Sequence, residues 1–359
     1  VKVVVAYEVG RPLEIEDLPL PEPGPHDVVV RLSASGICHT DLTVINGLSP
    51  LPLPIVPGHE GCGVVEEVGA EVRRVRVGDR VLASVTPACG QCWSCVNGMS
   101  NHCELNAEVK RRQRFRLADG RSAAAVCGCG TFAEAMVVHE ASVVAVRTDL
   151  ADEQLALLGC GVTTGLGAAL NTAGVTPGSS VAVIGCGGVG QSVIQGAHIA
   201  GAATIVAVDP VPGRREASIG VGATHTVDPQ AGDPVAQVRE LTGGRGADFT
   251  FEVVGRPELV TQAIDMARVE GVVTLVGMPS TTDVLTLPAI STVFSGKRIA
   301  GSVVGGAQIL RDFPRFIRLA EAGRLDLESM ITHRISLDEI NKGVHLLSRA
   351  EGVRTVIVG

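Results

Sequence analysis

The chain has 359 residues, 45% of them hydrophobic and 19% charged, with 44 glycines and 3% aromatics. That length exceeds what one hydrophobic core organises, so two domains are expected and wholesale disorder is excluded. A formal net charge of −8 repels phosphate backbones, which argues against a nucleic-acid partner, and no apolar run approaches the length of a membrane span.

The chain opens on Val1–Glu8 (VKVVVAYE), which reads as a strand and not as a signal peptide, so a cytoplasmic location is expected. In that reducing setting the ten cysteines are expected to bind metal where they cluster. Pro-rich Leu18–Pro25 and the short runs Val28–Ala34, Cys62–Val68 and Arg80–Val85 predict an antiparallel β domain with irregular loops. Metal-ligand residue types are scattered through it: Cys38 in GICHTD, His59 and Glu60 in GHEG, and later Cys160 in GCG. Each is a weak signal alone, since a lone Cys or His is more often a packed core residue. Together, two thiolates and one imidazole make a three-ligand set that leaves zinc a fourth position. There it acts as a Lewis acid on an alcohol, lowering its pKa as it does for water. Thr40, two residues from Cys38, offers a hydroxyl to accept the alcohol proton; its plain alternative is a turn hydroxyl bonded to its own backbone. Glu60 would approach the metal from behind and tune it, or form an ordinary ion pair.

Cys89, Cys92, Cys95 and Cys103 follow at C-x2-C-x2-C-x7-C spacing. So short a loop can wrap four thiolates around one tetrahedral zinc, with no position left for water. Such a site is structural, and its binding energy becomes folding energy. An iron–sulfur cluster fits the same ligands, but nothing else in the chain suggests electron transfer.

After Gly161 the rhythm changes. Val181–Gly185 (VAVIG) reads as a strand buried on both faces, Gly188–Ala200 as a helix and Thr204–Val208 as the next strand. Phe249–Val254 and Val272–Val276 are further strands, with helices at Val235–Leu241 and Glu258–Val269. The alternation implies a parallel, doubly wound sheet. Gly185-Cys186-Gly187-Gly188-Val189-Gly190 matches the dinucleotide fingerprint in its required setting, after a strand and opening a helix. Asp209 ends the next strand, 19 residues after Gly190, where a carboxylate accepts from both ribose hydroxyls and repels a 2′-phosphate. That favours NAD over NADP, although Arg214 and Arg215 follow closely. Helices at Leu310–Ala322 and Leu337–Ser348 and a strand at Arg354–Val358 close the chain, so a β-rich domain is interrupted by a dinucleotide-binding one.

These motifs, in this order and over essentially the whole chain, resemble the zinc-containing medium-chain alcohol dehydrogenases. The resemblance implies an α/β protein with a GroES-like catalytic zinc domain (1–161 and 305–359) and a Rossmann NAD-binding domain (162–304). It implies two zinc ions per chain, one catalytic (Cys38, His59 and Cys160, with Glu60) and one structural (Cys89, Cys92, Cys95, Cys103), and a small-molecule alcohol or aldehyde as substrate. Thr40 resembles the proton-relay hydroxyl. His39, Thr164, Gly185, Gly187, Gly188, Val189, Gly190, Asp209, Arg214 and Arg354 resemble coenzyme contacts, with Arg354 a pyrophosphate partner. Lys297–Gly306 resembles the edge strand that pairs two subunits, so a homodimer is implied, with pairing into tetramers left open.

Three departures stand out. His39 occupies a slot that is often Arg, Thr43 stands where many members place the His ending the relay, and the loop after Cys103 is short. Its run Lys110–Arg114 reads as a solvated loop, while Cys62, Cys127, Cys129 and Cys186 read as incidental thiols, Cys127 and Cys129 being able to interact. Val85 matches a pocket position that is often aromatic, which points to bulky aryl or allylic alcohols. Three alternatives remain: a glutathione-dependent formaldehyde dehydrogenase, disfavoured because Ala107 and Glu108 stand where an Arg holds glutathione; a nicotinoprotein with permanently held NAD; and a catalytically silent zinc-binding structural protein.

Overall fold

A computed structural model of the chain describes residues 1–49, 51–111 and 113–359. Arg112 of the basic run lies outside them, as do the side chains of Arg111, Gln113 and Arg114. The chain divides into two compact units: 1–160 with 308–323 and 327–359, and 161–307 with 324–326. The return to the first unit thus falls at 308, against the expected 305, and three residues of the C-terminal part go with the second. No single described helix is long and apolar enough to cross a membrane.

The first unit is built on a seven-stranded, mostly antiparallel sheet. Its path runs Val143–Ala145, Arg80–Ala83, Glu60–Val68, Asp27–Ile37, Arg354–Val358 and Ile331–Ile335, and Ala135–His139 also pairs with Asp27–Ile37. Register matters more than order here. Gly36 pairs with both Glu60 and Val356, and Ile37 pairs with Thr355. The end of one strand and the starts of two others therefore meet at one edge of the sheet. Beneath that edge Ile37, Val44, Ile45, Phe132, Ile335 and Ile357 form a core that the helix His39–Ile45 caps.

The second unit carries a six-stranded sheet, all parallel, in the order His225–Val227, Thr204–Val208, Ser180–Ile184, Ala247–Glu252, Ala267–Leu275, Arg298–Gly301. This is the doubly wound order, with its crevice at the carboxyl end of Ser180–Ile184. Strand alternation explains why these runs read as continuously apolar. Val181, Val183, Ile205 and Ala207 pack on one face with Val193, Ile194 and Ala197 of the helix Gly188–Ile199. Ala182, Ile184, Val206 and Val208 pack on the other with Val238, Ala263 and Met266.

Two expectations are corrected. The helix expected over Glu258–Val269 ends at Met266, and Ala267 already starts a strand. Arg268 is drawn into that strand's path by an ion pair with Asp248 at 2.6 Å, so tertiary pairing overrides helical periodicity. The strand expected over Lys297–Gly306 covers Arg298–Gly301 only; Val303–Gly306 winds into a helical turn with Val304 at φ 50°.

Gly185 (φ 91°) makes the turn after the first strand, and a Cβ on Gly190 would fall on the Gly185 carbonyl oxygen. Gly190→Ala is therefore expected to cost about 1–3 kcal/mol in thermal or urea unfolding, as overpacking does. Gly213→Ala, whose Cβ meets nothing within 4 Å, should be neutral or stabilising. Equal stabilities for the two variants would contradict this account of the turn.

Candidate metal centre and dinucleotide turn

Three separate segments deliver side chains to the sheet edge of the first unit. Cys38 follows the strand Asp27–Ile37 and caps the helix His39–Ile45. His59 immediately precedes the strand Glu60–Val68. Cys160 follows the helical turn Leu157–Gly159, which approaches closely: a Cβ on Gly159 would lie 3.0 Å from Glu60 Cα. The Cys38 and Cys160 sulfurs, a His59 ring nitrogen and a Glu60 carboxylate oxygen all lie within 4.8 Å of one another.

Asp41, which sequence reasoning passed over, organises this set. It is fully buried in the first turn of the helix. Its Oδ1 lies 3.0 Å from His59 Nδ1 and accepts the Gly58 N–H at 2.9 Å, while Oδ2 accepts the Cys38 N–H at 3.1 Å. One carboxylate thereby fixes the positions of two ligand-bearing segments. With Nδ1 given to Asp41, His59 Nε2 is left buried without a hydrogen-bond partner among the described residues. An orphaned buried imidazole nitrogen beside two sulfurs fits a metal ion, because it otherwise forfeits its solvation for nothing.

The electrostatics agree. A hydrogen bond from Cys160 and the neighbouring His59 hold the Cys38 thiol well below its usual value, against the effect of burial. Cys160 is correspondingly pushed well above it by its bond to Cys38 and by burial. Burial opposes charge on His59, but Asp41 and the Cys38 thiolate raise it well above its ordinary value. The donors crowd negative charge that protons must otherwise neutralise, and a dication would take their place. Glu60 is buried and pairs with buried Arg354, the first residue of the strand Arg354–Val358. Burial works against Arg354's charge, yet Glu60 holds it protonated above the usual guanidinium range. Arg354, expected as a pyrophosphate contact, is thus found buried against Glu60, a pairing that no local motif announces.

Thr40 Oγ1 lies 3.8 Å from Cys38 Sγ, beside the ligand set. Thr43 is turned to its own helix, its hydroxyl donating to the His39 carbonyl at 3.1 Å. The His39 side chain is exposed.

The four lobe cysteines also converge, within 4.8 Å of one another, and none forms a disulfide. The Cys89–Cys95 and Cys92–Cys103 sulfurs are each 3.9 Å apart. A tetrahedron with metal–sulfur bonds of about 2.3 Å has an edge of about 3.8 Å, so the spacing suits a single zinc-sized ion. Backbone N–H groups of Cys89, Cys92 and Cys95 donate to the sulfurs of Cys103, Cys89 and Cys92 at 3.3–3.4 Å. Backbone N–H groups pull Cys92 down to about 6, while burial pushes Cys95 up to about 12. Cys127 sits at φ 55°, and the buried Cys129 sulfur lies 3.8 Å from the Cys127 carbonyl.

In the second unit the 12-residue helix Gly188–Ile199 has no side-chain cap at its N-terminus. Its first N–H groups are free to meet an anion. The Arg214 guanidinium lies 3.7 Å from where a Cβ on Gly187 would stand, and its Nε is buried without a partner. Arg215 points elsewhere, pairing with Asp228 at 2.9 Å. Asp209 is buried; its Oδ2 accepts from Cys186 N at 2.7 Å and its Oδ1 from Val211 N at 2.8 Å. The carboxylate ties the glycine-rich turn to the second strand, a role that the 19-residue spacing did not suggest. Val189 opens the helix, and Thr164 is half-buried in the helix Gly161–Gly167.

Residues 24–148 match the family described as "Alcohol dehydrogenase GroES-like domain", and 188–322 match "Zinc-binding dehydrogenase". The chain is 37% identical to alcohol dehydrogenase 6 of Peromyscus maniculatus, over 99% of this chain and 97% of the relative. It is 36% identical to an S-(hydroxymethyl)glutathione dehydrogenase of Synechocystis, over 99% of each chain. A crystal structure of benzyl alcohol dehydrogenase from Acinetobacter calcoaceticus superposes with a TM-score of 0.93 at 32% identity, over 99% of this chain and 98% of that one.

Asp41→Asn keeps the shape but weakens the hold on His59 Nδ1. Affinity at the Cys38–His59–Cys160 set is expected to fall about 10–100-fold in competition with a chromophoric chelator. Zinc in the four-cysteine lobe should be retained. Unchanged affinity at both sets would remove Asp41 from this role.

Proposed function

Because the chain belongs to the zinc-containing medium-chain alcohol dehydrogenases, an oxidoreductase family of GroES-like and Rossmann-type fold, we propose that it transfers a hydride between a primary or secondary alcohol and NAD, giving an aldehyde or ketone. The observation that carries this reading is the buried set of Cys38, His59 and Cys160 around an unpartnered His59 Nε2. In this reading those three residues hold a catalytic zinc, and the four lobe cysteines hold a structural one. The catalytic ion supplies a Lewis acid that makes the substrate hydroxyl acidic. Asp41 keeps the His59 proton on Nδ1 and so presents Nε2 as a lone pair. Glu60 and Arg354 balance each other's charge beside the sulfurs. Thr40, partly exposed, accepts the hydroxyl proton as it passes its own to solvent, and Thr43, turned to a carbonyl of its own helix, lies off that path. The glycine-rich turn and Arg214 bind the coenzyme phosphates and Asp209 the adenosine ribose, which favours NAD.

Bulky alcohols suit the chain better than ethanol. Val85 is buried just beyond the strand Arg80–Ala83, where it replaces a larger side chain, and the benzyl alcohol enzyme named above supports the same direction. The S-(hydroxymethyl)glutathione relative favours a second reading, against which Ala107 and Glu108 offer no cation for a glutathione carboxylate. With a panel of alcohols read by nicotinamide absorbance, kcat/KM for benzyl alcohol with NAD should exceed that for ethanol by about tenfold or more. Preference for ethanol, or for NADP, contradicts this reading, and activity that requires glutathione favours the second one.

We place the enzyme in the cytoplasm as a homodimer. The strand Arg298–Gly301 ends the second unit's sheet, and the neighbouring helix Ala289–Ser295 buries none of its residues, with Phe294 81% and Val293 77% exposed. Such an apolar patch beside an open sheet edge suits pairing with a second copy. Phe294→Asp should halve the mass seen by sedimentation. A wild-type monomer removes the homodimer from the reading.

A further inference from the structure

Outside both sites, the first unit has a surface cavity of about 610 Å³ between the turn that follows Glu60–Val68 and the chain leaving Val143–Ala145. Four arginines line it, Arg73, Arg74, Arg76 and Arg147, against one carboxylate, Asp79. In a chain of net charge −8, that concentration of positive charge runs against the overall balance. Arg76 pairs with Asp79 at 3.5 Å. The Arg73 and Arg147 guanidinium groups have no carboxylate partner among the described residues.

The rim is built. Arg74 is half-buried and donates to the Cys89 carbonyl at 2.7 Å and to the Ala88 carbonyl, both neutral acceptors, while the Glu140 carboxylate behind the turn offsets part of its charge. Buried Glu140 accepts the backbone N–H groups of Arg73 at 2.7 Å and Arg74 at 2.9 Å, which fixes the turn from behind. His26 faces the other Glu140 oxygen at 3.5 Å. The backbone that carries the arginines is thus held before any ligand arrives.

We propose that this cavity binds a compact, multiply charged phosphate ester. Guanidinium groups bind phosphate oxygens in pairs through parallel N–H donors, and several around one depression favour more than one phosphate over a single carboxylate. Arg74 joins the cavity to Cys89, so an occupant would bear on the cysteine lobe through one side chain.

The test is calorimetric titration of the zinc-loaded protein with fructose 1,6-bisphosphate, with and without saturating NAD. Saturable one-to-one binding that persists with NAD and weakens with salt is expected. Arg73→Gln/Arg147→Gln should raise Kd about tenfold or more while leaving the melting temperature and alcohol oxidation unchanged; that is about 1.4 kcal/mol. Arg147→Gln alone should act in the same direction. No binding beyond that of sodium sulfate at equal ionic strength, an unchanged Kd in the double variant, or binding abolished by NAD would each overturn the proposal. These readouts do not depend on which alcohol the enzyme oxidises.

Discussion

The Asp41 carboxylate, fully buried, makes three contacts with two chain segments: the Cys38 N–H, the Gly58 N–H and the His59 ring. A polar group in that position has lost its hydration and must recover it from donors. The donors available are the backbone at Cys38 and the turn at Gly58–His59. The need to solvate one carboxylate therefore holds a thiol and an imidazole at a fixed separation. Everything else in the centre follows from that spacing, including the side of His59 that faces Cys160.

The rest of the charge is arranged around the same point. Glu60 and Arg354 are both buried and each other's partner, so neither could be removed singly without stranding the other. The bond between the two sulfurs holds the Cys38 thiol well below its usual value and pushes Cys160 well above it. A protein does not ordinarily bury so many ionisable groups together for stability. Their density is of the kind that a bound cation would neutralise. The cysteine lobe solves a different problem. Its sulfurs accept N–H groups from its own loop, which buries few apolar residues, so a metal bound there would supply the cohesion that a core does elsewhere.

Local features were legible from the residues. The four lobe cysteines are adjacent in sequence, so their spacing alone announced a tetrahedral site. The run Val181–Ile184 is apolar at every position because it is covered on both faces, and the glycine-rich turn follows it as the mechanism demands. Cys38, His59 and Cys160 were legible only as a set, because each alone reads as a packed core residue. Asp41 was not, because an acid in the first turn of a helix is what the helix dipole favours anyway. The pairing of Glu60 with Arg354 joins positions 294 apart, and no periodicity carries that information. The same limit explains the helix expected to run on to Val269: its pattern continues, but Asp248 claims Arg268 for the neighbouring strand.

The strand Arg354–Val358 lies inside its sheet, hydrogen-bonded to Asp27–Ile37 on one side and Ile331–Ile335 on the other. During synthesis the second unit, nearly continuous from 161 to 307, has its strands in hand long before this one leaves the ribosome. The first unit by then has Asp27–Ile37 paired with Glu60–Val68 and Ala135–His139, but that end of its sheet is completed only when residues 331–335 and 354–358 emerge. Loss of only those five residues would detach Ile331–Ile335 from the sheet and take away the partner of Glu60. The order in which the chain is made thus leaves the first unit, and not the second, to be completed last.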